Sequence, residues 1–412
     1  MNYAKSQLLV CLLVLVFCTS GSKAVLAQTT ISGKADIYGA AYIHDDSRSK
    51  EQFAEIRFQP KVTSRFNEYF IVFVAGDFRL DTENYAHSFM DDTVEDSNRW
   101  AANASEVYGE FNRSWLRVRA GKQIFDWSVT DTISPSDNIN PRDWTDIIEW
   151  ERVGVHALDV RLGSDTYIEF VYVPWATVSK LPGKRFEVEL PDGVSLAKQR
   201  INRSAEQFAA RAGTVINGFD LCAGAYKGKS FNPATQLKMH SLTSAEVVPV
   251  YQDEEVYFLS AAKELIGFNF RAETGFFRQQ QDDNFAQGVV GADREWAGVF
   301  KPEDTLYVLV QYADEMISKR HDSALPQIDF RRNLNNSLLS RIKYSFNENW
   351  AVKLDSSYNF SKGDSYIEPT VVWQQNRWEV EAGMGIFSGP KNTFFGRYKD
   401  DDRFFMKTTY NF

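Results

Sequence analysis

The sequence predicts an all-β fold: a transmembrane antiparallel β-barrel of about eighteen strands, with sixteen as the alternative. Three observations predict it. Apolar and polar residues alternate along most of the chain, the period-two signature of strands with one apolar and one polar face. Short and long connections follow one another without a break of parity, as hairpin turns and long loops do at the two rims of a barrel. Aromatics make up 14% of the 412 residues, yet after the first 27 residues no apolar run is long enough for a membrane helix.

The first segment is read as a secretory signal, residues 1–27. Lys5 supplies the charged region, 8–17 an apolar run too short to span a bilayer, and Val25-Leu26-Ala27 the small residues of a cleavage site. Gln28 then begins the mature barrel, 28–412. A lipoprotein at Cys18 is the alternative, disfavoured by the bulky Phe17 before it. Cys11 and Cys18 leave with the signal, and Cys222 alone can form no intramolecular disulfide. The net charge is −9 with no basic stretch, which excludes nucleic acid as a partner class.

The mature chain then runs strand by strand. Ala35, Ile37, Gly39, Ala41 and Ile43 share one face, with Lys34, Asp36 and Tyr38 opposite. After a polar turn at 45–50, Ala54, Ile56, Phe58 and Val62 alternate with Glu55, Arg57, Gln59 and Lys61. After a tight turn at 67–68, Phe70, Val72, Val74, Phe78 and Leu80 oppose Asp77 and Arg79. An acidic loop is expected at 82–105. The rhythm continues through short turns at 112–114, 163–166, 217–218, 264–267, 301–304, 347–349 and 375–377. Longer connections are placed at 129–150, 176–204, 228–253, 279–285, 317–334, 361–365 and 388–402. The weakest stretch is 205–260, which is where sixteen strands would arise. An even count puts both termini on one side of the membrane.

The last strand reads RFFMKTTYNF. Phe404, Met406, Thr408, Tyr410 and Phe412 fall on alternate positions, and Lys407, Thr409 and Asn411 fill the gaps. It resembles the closing strand of bacterial outer-membrane β-barrels, whose chains typically end in an aromatic residue that the assembly machinery reads. The resemblance implies a multi-pass protein of the Gram-negative outer membrane in contact with lipid and lipopolysaccharide. It also implies periplasmic termini, short periplasmic turns and Phe412 as the assembly signal. A closing edge strand of a soluble sandwich is the alternative. Tyr69, Trp115, Trp175, Trp296, Trp350, Trp373 and Trp378 near strand ends fit an interfacial aromatic girdle.

The polar faces carry charges of both signs, which cannot face lipid cheaply: Arg or Lys at the midplane costs about 2–4 kcal/mol. Arg57, Arg79, Arg117, Arg119, Lys122, Arg161, Arg271 and Arg341 are therefore assigned to the lumen wall, opposite carboxylates such as Asp36, Asp77, Asp159, Glu169, Glu273, Asp293 and Asp355. They either line a wet pore or form cross-strand ion pairs that stiffen the wall.

One stretch departs from the rhythm. From Arg119 the chain reads RAGKQIFDWSVTDTISPSDNINPRDWTDIIEWER. Pro135 and Pro141 break any strand, while Trp127, Trp144, Trp150, Ile133, Ile139, Ile147 and Ile148 are too apolar for a loop in water. The available surface is the barrel interior. Loop three of general porins folds inward, and this loop, 129–150, is similar to it in ordinal position. Asp131, Asp137, Asn138, Asn140, Arg142, Asp143, Asp146 and Glu149 are the candidate constriction residues. The loop's acidic excess favours cations, and Arg117, Arg119 and Lys122 on the preceding strand are placed to oppose it in a transverse field. A cap over one rim is the alternative. The run Gly121, Gln123, Trp127, Pro135, Asp137, Asn138, Asn140, Pro141, Arg142, Asp143 also resembles porin-like outer-membrane families of uncharacterised function and, more distantly, alginate-export barrels. Ser128 stands where a glycine is expected after the tryptophan. That likeness implies passage of small solutes or of a polymer.

Enzyme chemistry finds no support. His44, His87, His156, His240 and His321 are scattered, and the neighbours His240 and Ser241 point to opposite faces of a strand. No motif indicates a metal or a cofactor. The acidic stretches 91–96 and 400–402 are read as a solvated outer rim. The expected function is a channel for small hydrophilic solutes or ions. The alternatives are an export conduit working with periplasmic partners and a barrel plugged by its own loops. Oligomeric state is not readable from alternation.

Overall fold

The computed structural model describes residues 28–44, 50–83, 86–89, 99–131, 133–187, 190–197, 201, 204–241, 243–280, 283–320 and 332–412. The signal assigned to 1–27, the acidic stretch 91–96 and His321 lie outside these.

Eighteen antiparallel strands close on themselves. They are β1 (Gln28–Tyr42), β2 (Gln52–Arg65), β3 (Phe70–Asp81), β4 (Arg99–Arg113), β5 (Leu116–Gln123), β6 (Val155–Gly163), β7 (Tyr167–Val173), β8 (Gln207–Ile216) and β9 (Phe219–Lys229). They continue with β10 (Asp253–Leu265), β11 (Phe268–Gln279), β12 (Asn284–Ala297), β13 (Thr305–Lys319), β14 (Ser337–Ser345), β15 (Trp350–Asn359), β16 (Ser365–Gln375), β17 (Trp378–Ser388) and β18 (Arg403–Asn411). Each strand pairs with its neighbours in sequence, and β1 pairs with β18, Lys34 opposite Asn411 and Tyr42 opposite Arg403. Closure leaves no edge, which a membrane-spanning sheet requires. The sixteen-strand alternative is thereby excluded.

The alternation sets the orientation of every strand. Ile37, Ile56, Leu80, Phe170, Leu259 and Met406 are exposed on the outer face, whereas Asp36, Arg79, Asp159 and Glu273 on the opposite parity are buried inside. Exposed apolar groups in this number form a lipid-facing band. Trp115, Trp350 and Trp378 stand on it at the end of the barrel that carries the short turns. At the other end Trp175 packs against His156, ring centroids 5.0 Å apart and the planes tilted by 43°.

The turns follow local chemistry. Asn217-Gly218 and Ile266-Gly267 have positive φ at both central residues, the condition for tight hairpins that match strand twist. At 298–304, Asp304 accepts hydrogen bonds from the amides of Val299, Phe300 and Lys301.

Two of the expected loops are shorter on one side. β4 begins at Arg99, inside the stretch 82–105 assigned to loop, and β13 runs on to Lys319. Arg99–Asn103 lacks clean alternation, which hid it. The connection 230–252 is not irregular throughout. Ala234–Ser241 and Ser244–Val250 pair as a hairpin, and Val194–Leu196 of the preceding long connection adds a parallel third strand.

Candidate functional site

The loop between β5 and β6 spans 124–154, four to five residues longer at each end than its polar breakers mark. It enters the lumen and is fixed on three sides.

The first side is apolar. In the half of the barrel nearer the long loops, β6 to β12 turn Val155, Val171, Val173, Tyr226, Val256, Phe258, Phe277 and Phe285 inward, and Phe125, Trp127 and Ile139 of the loop pack on them. Trp127 lies 5.8 Å from Phe258, with the Arg211 guanidinium 4.6 Å over its ring. An inward apolar face in a wet barrel would cost free energy; the loop covers it.

The second side is a carboxylate clasp. Glu273, inward at mid-height of β11, accepts from the amides of Val129, Thr130 and Ser136 and from the hydroxyls of Ser134 and Ser136, at 2.6 Å from Thr130 and 2.7 Å from Ser134. Beside it Asp131 accepts from Arg271 at 3.1 Å and from Gln311 on β13 at 2.9 Å.

The third side faces β1, β2, β3 and β18. Glu151 pairs with Arg57 at 2.5 Å and with Arg79 at 2.6 Å. Asp146 pairs with Arg403 at 3.1 Å, and Glu149 lies 3.7 Å from Lys407. Above the loop, Trp144 and Ile147 pack with Phe186, Phe394, Phe395 and Tyr398 of two other long connections. Arg185, almost fully buried, joins those connections through Asp401 at 3.0 Å.

The candidate residues divide into two groups. Asp131, Asp146 and Glu149 reach the wall. Asp137, Asn138, Asn140 and Arg142 do not: they are buried inside the loop and hold its shape. Asn140 accepts from the Phe125 amide at 2.7 Å and donates to the Val153 carbonyl at 2.8 Å, tying the outgoing limb to the returning one. Asn138 donates to Pro135 at 2.7 Å. Asp137 binds Arg142 at 2.7 Å and Arg152 at 2.6 Å. The N-x-N-P-R motif is thus a folding frame, and reading it as constriction lining is corrected: a pore-lining group must meet solvent, and these meet each other. Asp143, half-buried, accepts from the Thr145 amide at 3.0 Å and lines the lumen cavity beside β2 and β3. Ser128, in the place expected for glycine, accepts from Arg152 at 3.0 Å.

The expected transverse field between β5 and the loop is also corrected. Arg117 and Arg119 turn to Asp159 on β6, at 3.2 Å and 2.8 Å, and Arg117 also to Glu169 on β7. Lys122 donates to Asn103 on β4 at 2.9 Å and lies over Trp100. Arg117 and Arg119 thus spend their charge on carboxylates of the wall. Opposed charges occur on the other side of the lumen instead, between Glu151 and the Arg57–Arg79 pair. Five of the loop's carboxylates, Asp131, Asp137, Asp146, Glu149 and Glu151, each face a cation.

The remaining wall residues lie toward the short-turn end. Arg161 donates to Ser164 at 3.1 Å and sits 3.6 Å over the Tyr167 ring. Arg341 pairs with Asp355 at 2.5 Å while its side chain stays 46% exposed. That exposure on an inward face means the lumen there is wet. A cavity of about 360 Å³ separates the returning limb of the loop from β2, β3 and β4, lined by Arg57, Lys61, Asp77, Arg79, Glu106 and Glu151 among others.

Sequence reasoning missed the apolar inward face of β6 to β12. The signal was present: Tyr167–Val173 and 256–262 are apolar on both parities, and a strand with two apolar faces must cover both. Elsewhere, His240 lies 3.5 Å from Glu246 on the outer hairpin, and among the described residues no group of three His, Cys, Asp or Glu could hold a metal ion.

No protein-family model matches the chain, and no curated protein does. Among solved structures it is similar to OccD3 (OpdP) of Pseudomonas aeruginosa, at TM-score 0.50 and 9% identity, covering 95% of this chain and 93% of that one. It is similar to the outer membrane protein opdK of the same organism, at 0.50 and 11%, covering 94% and 98%, and to its OccK11 (OpdR), at 0.50 and 7%, covering 93% and 95%. At such identities the likeness is one of fold: a porin-like outer-membrane β-barrel.

Proposed function

We propose that this chain is an outer-membrane diffusion channel for small hydrophilic solutes. Its short turns and termini face the periplasm, its long loops face outward, and loop 124–154 narrows the lumen. The observation that carries this is the pairing of a wet, charged lumen with a loop pinned across it at mid-height. Glu151 (41% exposed), Asp131 (38%) and Arg341 (46%) face inward and still meet water. A solid protein interior would not leave ion pairs wet at that depth, whereas a solute path requires it. The outer face meets lipid and lipopolysaccharide, and Phe412 is the residue the assembly machinery reads. Catalysis has no part in this reading. With most of the loop's carboxylates paired to cations, selectivity between small cations and anions is weak.

Single-channel recording of the purified barrel in a planar bilayer tests it. A steady conductance is expected, with a reversal potential near zero under a KCl gradient. Deleting Thr132–Asp146 should raise that conductance several-fold. A silent bilayer from a folded barrel would overturn the channel, and unchanged conductance in the deletion would overturn the narrowing role. Heat-modifiable gel migration reports folding in both.

A further inference from the structure

The lipid-facing side of the barrel is not evenly bulky. Phe170 on β7 stands opposite Ala210 on β8, Ala210 opposite Ala225 on β9, and Ala225 opposite Tyr257 on β10. All four share the outward parity, so two methyl groups lie between two rings. The next outward row toward the short turns repeats the pattern, with Ala212 and Ala223 between Ile168 and Leu259. The result is a groove of about 430 Å³, walled by Leu158, Phe170, Phe208 and Tyr257, all four of them exposed. An acyl chain laid in it touches protein on its floor and both sides. The same chain against a row of full-sized side chains touches one face alone, and loses the dispersion contacts of the other two.

Apolar shape does not choose among lipids; the charges at the mouth of the groove do. One outward row nearer the long loops, Lys227 stands opposite Glu255, and Glu255 opposite Arg278 on β11. Glu255 lies 3.0 Å from Lys227 and 3.6 Å from Arg278. Two cations thus share one carboxylate, and their side chains are 73% and 68% exposed. The charges around them are engaged separately: Lys229 pairs with Asp253 at 2.7 Å, and Glu206 accepts from the Tyr172 hydroxyl at 2.6 Å. We infer that this groove binds one lipid of the outer leaflet, a phosphorylated and acylated glycolipid of the lipid A class. One acyl chain lies over Ala210 and Ala225, and a headgroup phosphate meets Lys227 and Arg278. The phosphate supplies the negative charge that Glu255 alone leaves short, through charge-assisted hydrogen bonds. A zwitterionic phospholipid brings its own cation to the same place and gains less. The inference rests on the outward orientation of the long loops in the channel reading, and it assigns the lipid contact of that face to one position.

Native mass spectrometry of the full barrel, refolded in detergent without lipid and titrated with bisphosphorylated lipid A, tests this with no need for conduction. One retained lipid A per barrel is expected. Lys227→Gln combined with Arg278→Gln should weaken retention about ten-fold. Ala225→Leu, which fills the groove and changes no charge, should weaken it several-fold. Arg294→Gln removes a cation beside Trp296 at the short-turn end and should leave retention as in wild type. Gel migration checks that each barrel is folded. Retention unchanged by the double variant or by Ala225→Leu, or weakened as much by Arg294→Gln, would overturn the site. So would equal retention of phosphatidylcholine, which would give the groove to bulk lipid, or a dimer mass in place of the lipid, which would give it to a second barrel. A silent bilayer with this binding pattern intact would overturn the channel and leave the lipid site standing.

Discussion

At the scale of single residues, one carboxylate organises the loop more than the loop's own charges do. Glu273 collects five donors from four loop residues, and it is 3% exposed. Removing a buried charged acceptor leaves its donors unsatisfied, at about 1–3 kcal/mol for the group. Glu273→Ala should therefore lower the unfolding free energy by roughly 3 kcal/mol and add fluctuations to the open current as the outgoing limb loosens. Glu273→Gln, whose amide oxygen still accepts, should lose less than half as much. Denaturant unfolding of the two variants checks the order; an alanine variant as stable and as quiet as wild type would show that the apolar contacts of Trp127 hold the loop unaided. That Glu273 faces the lumen was legible from the parity of β11. Its partner was not, because Val129 to Ser136 lie about 140 residues away and only closure of the barrel brings them to it.

At the scale of elements, legibility followed how local the cause is. Turns and strand faces depend on neighbours in sequence, so the short connections and the outward apolar rows could be read from alternation and from Asn and Gly. The hairpin Ala234–Ser241 with Ser244–Val250 could not, because its strands stand outside the barrel, where no membrane imposes a one-faced pattern; Leu237 and Met239 are exposed. The loop's N-x-N-P-R motif was visible, but whether such polar groups face a pore or one another depends on a loop conformation that spacing does not determine. One turn carries a local conflict. Ile266 has φ of 54° and is 82% exposed, so a β-branched side chain occupies a left-handed position with little packing in return, at about 1–2 kcal/mol. Ile266→Asn should recover roughly 1 kcal/mol, seen as a higher thermal midpoint. No rise would mean that contacts of Ile266 in the lipid headgroup region repay the strain.

At the scale of the whole molecule, the barrel closes where its two ends meet. Phe412 and Gly33 exchange backbone hydrogen bonds at 3.0 and 3.1 Å, and the Phe412 ring stacks on Phe58 at 5.6 Å. A Cβ at Gly33 would lie 2.3 Å from the Gln59 carbonyl oxygen and 2.8 Å from the Phe412 ring, so the glycine permits this close approach. The backbone bonds do not need the aromatic ring. Phe412→Ala should therefore cost only about 1 kcal/mol of stacking and leave refolding into detergent micelles near the wild-type yield. If the assembly machinery reads the terminal ring, the same variant should lose several-fold more folded barrel in the outer membrane of living cells than it loses in micelles. Heat-modifiable migration quantifies both. An equal, small loss in the two settings would make Phe412 a closing residue alone, and its role as an assembly signal would fall.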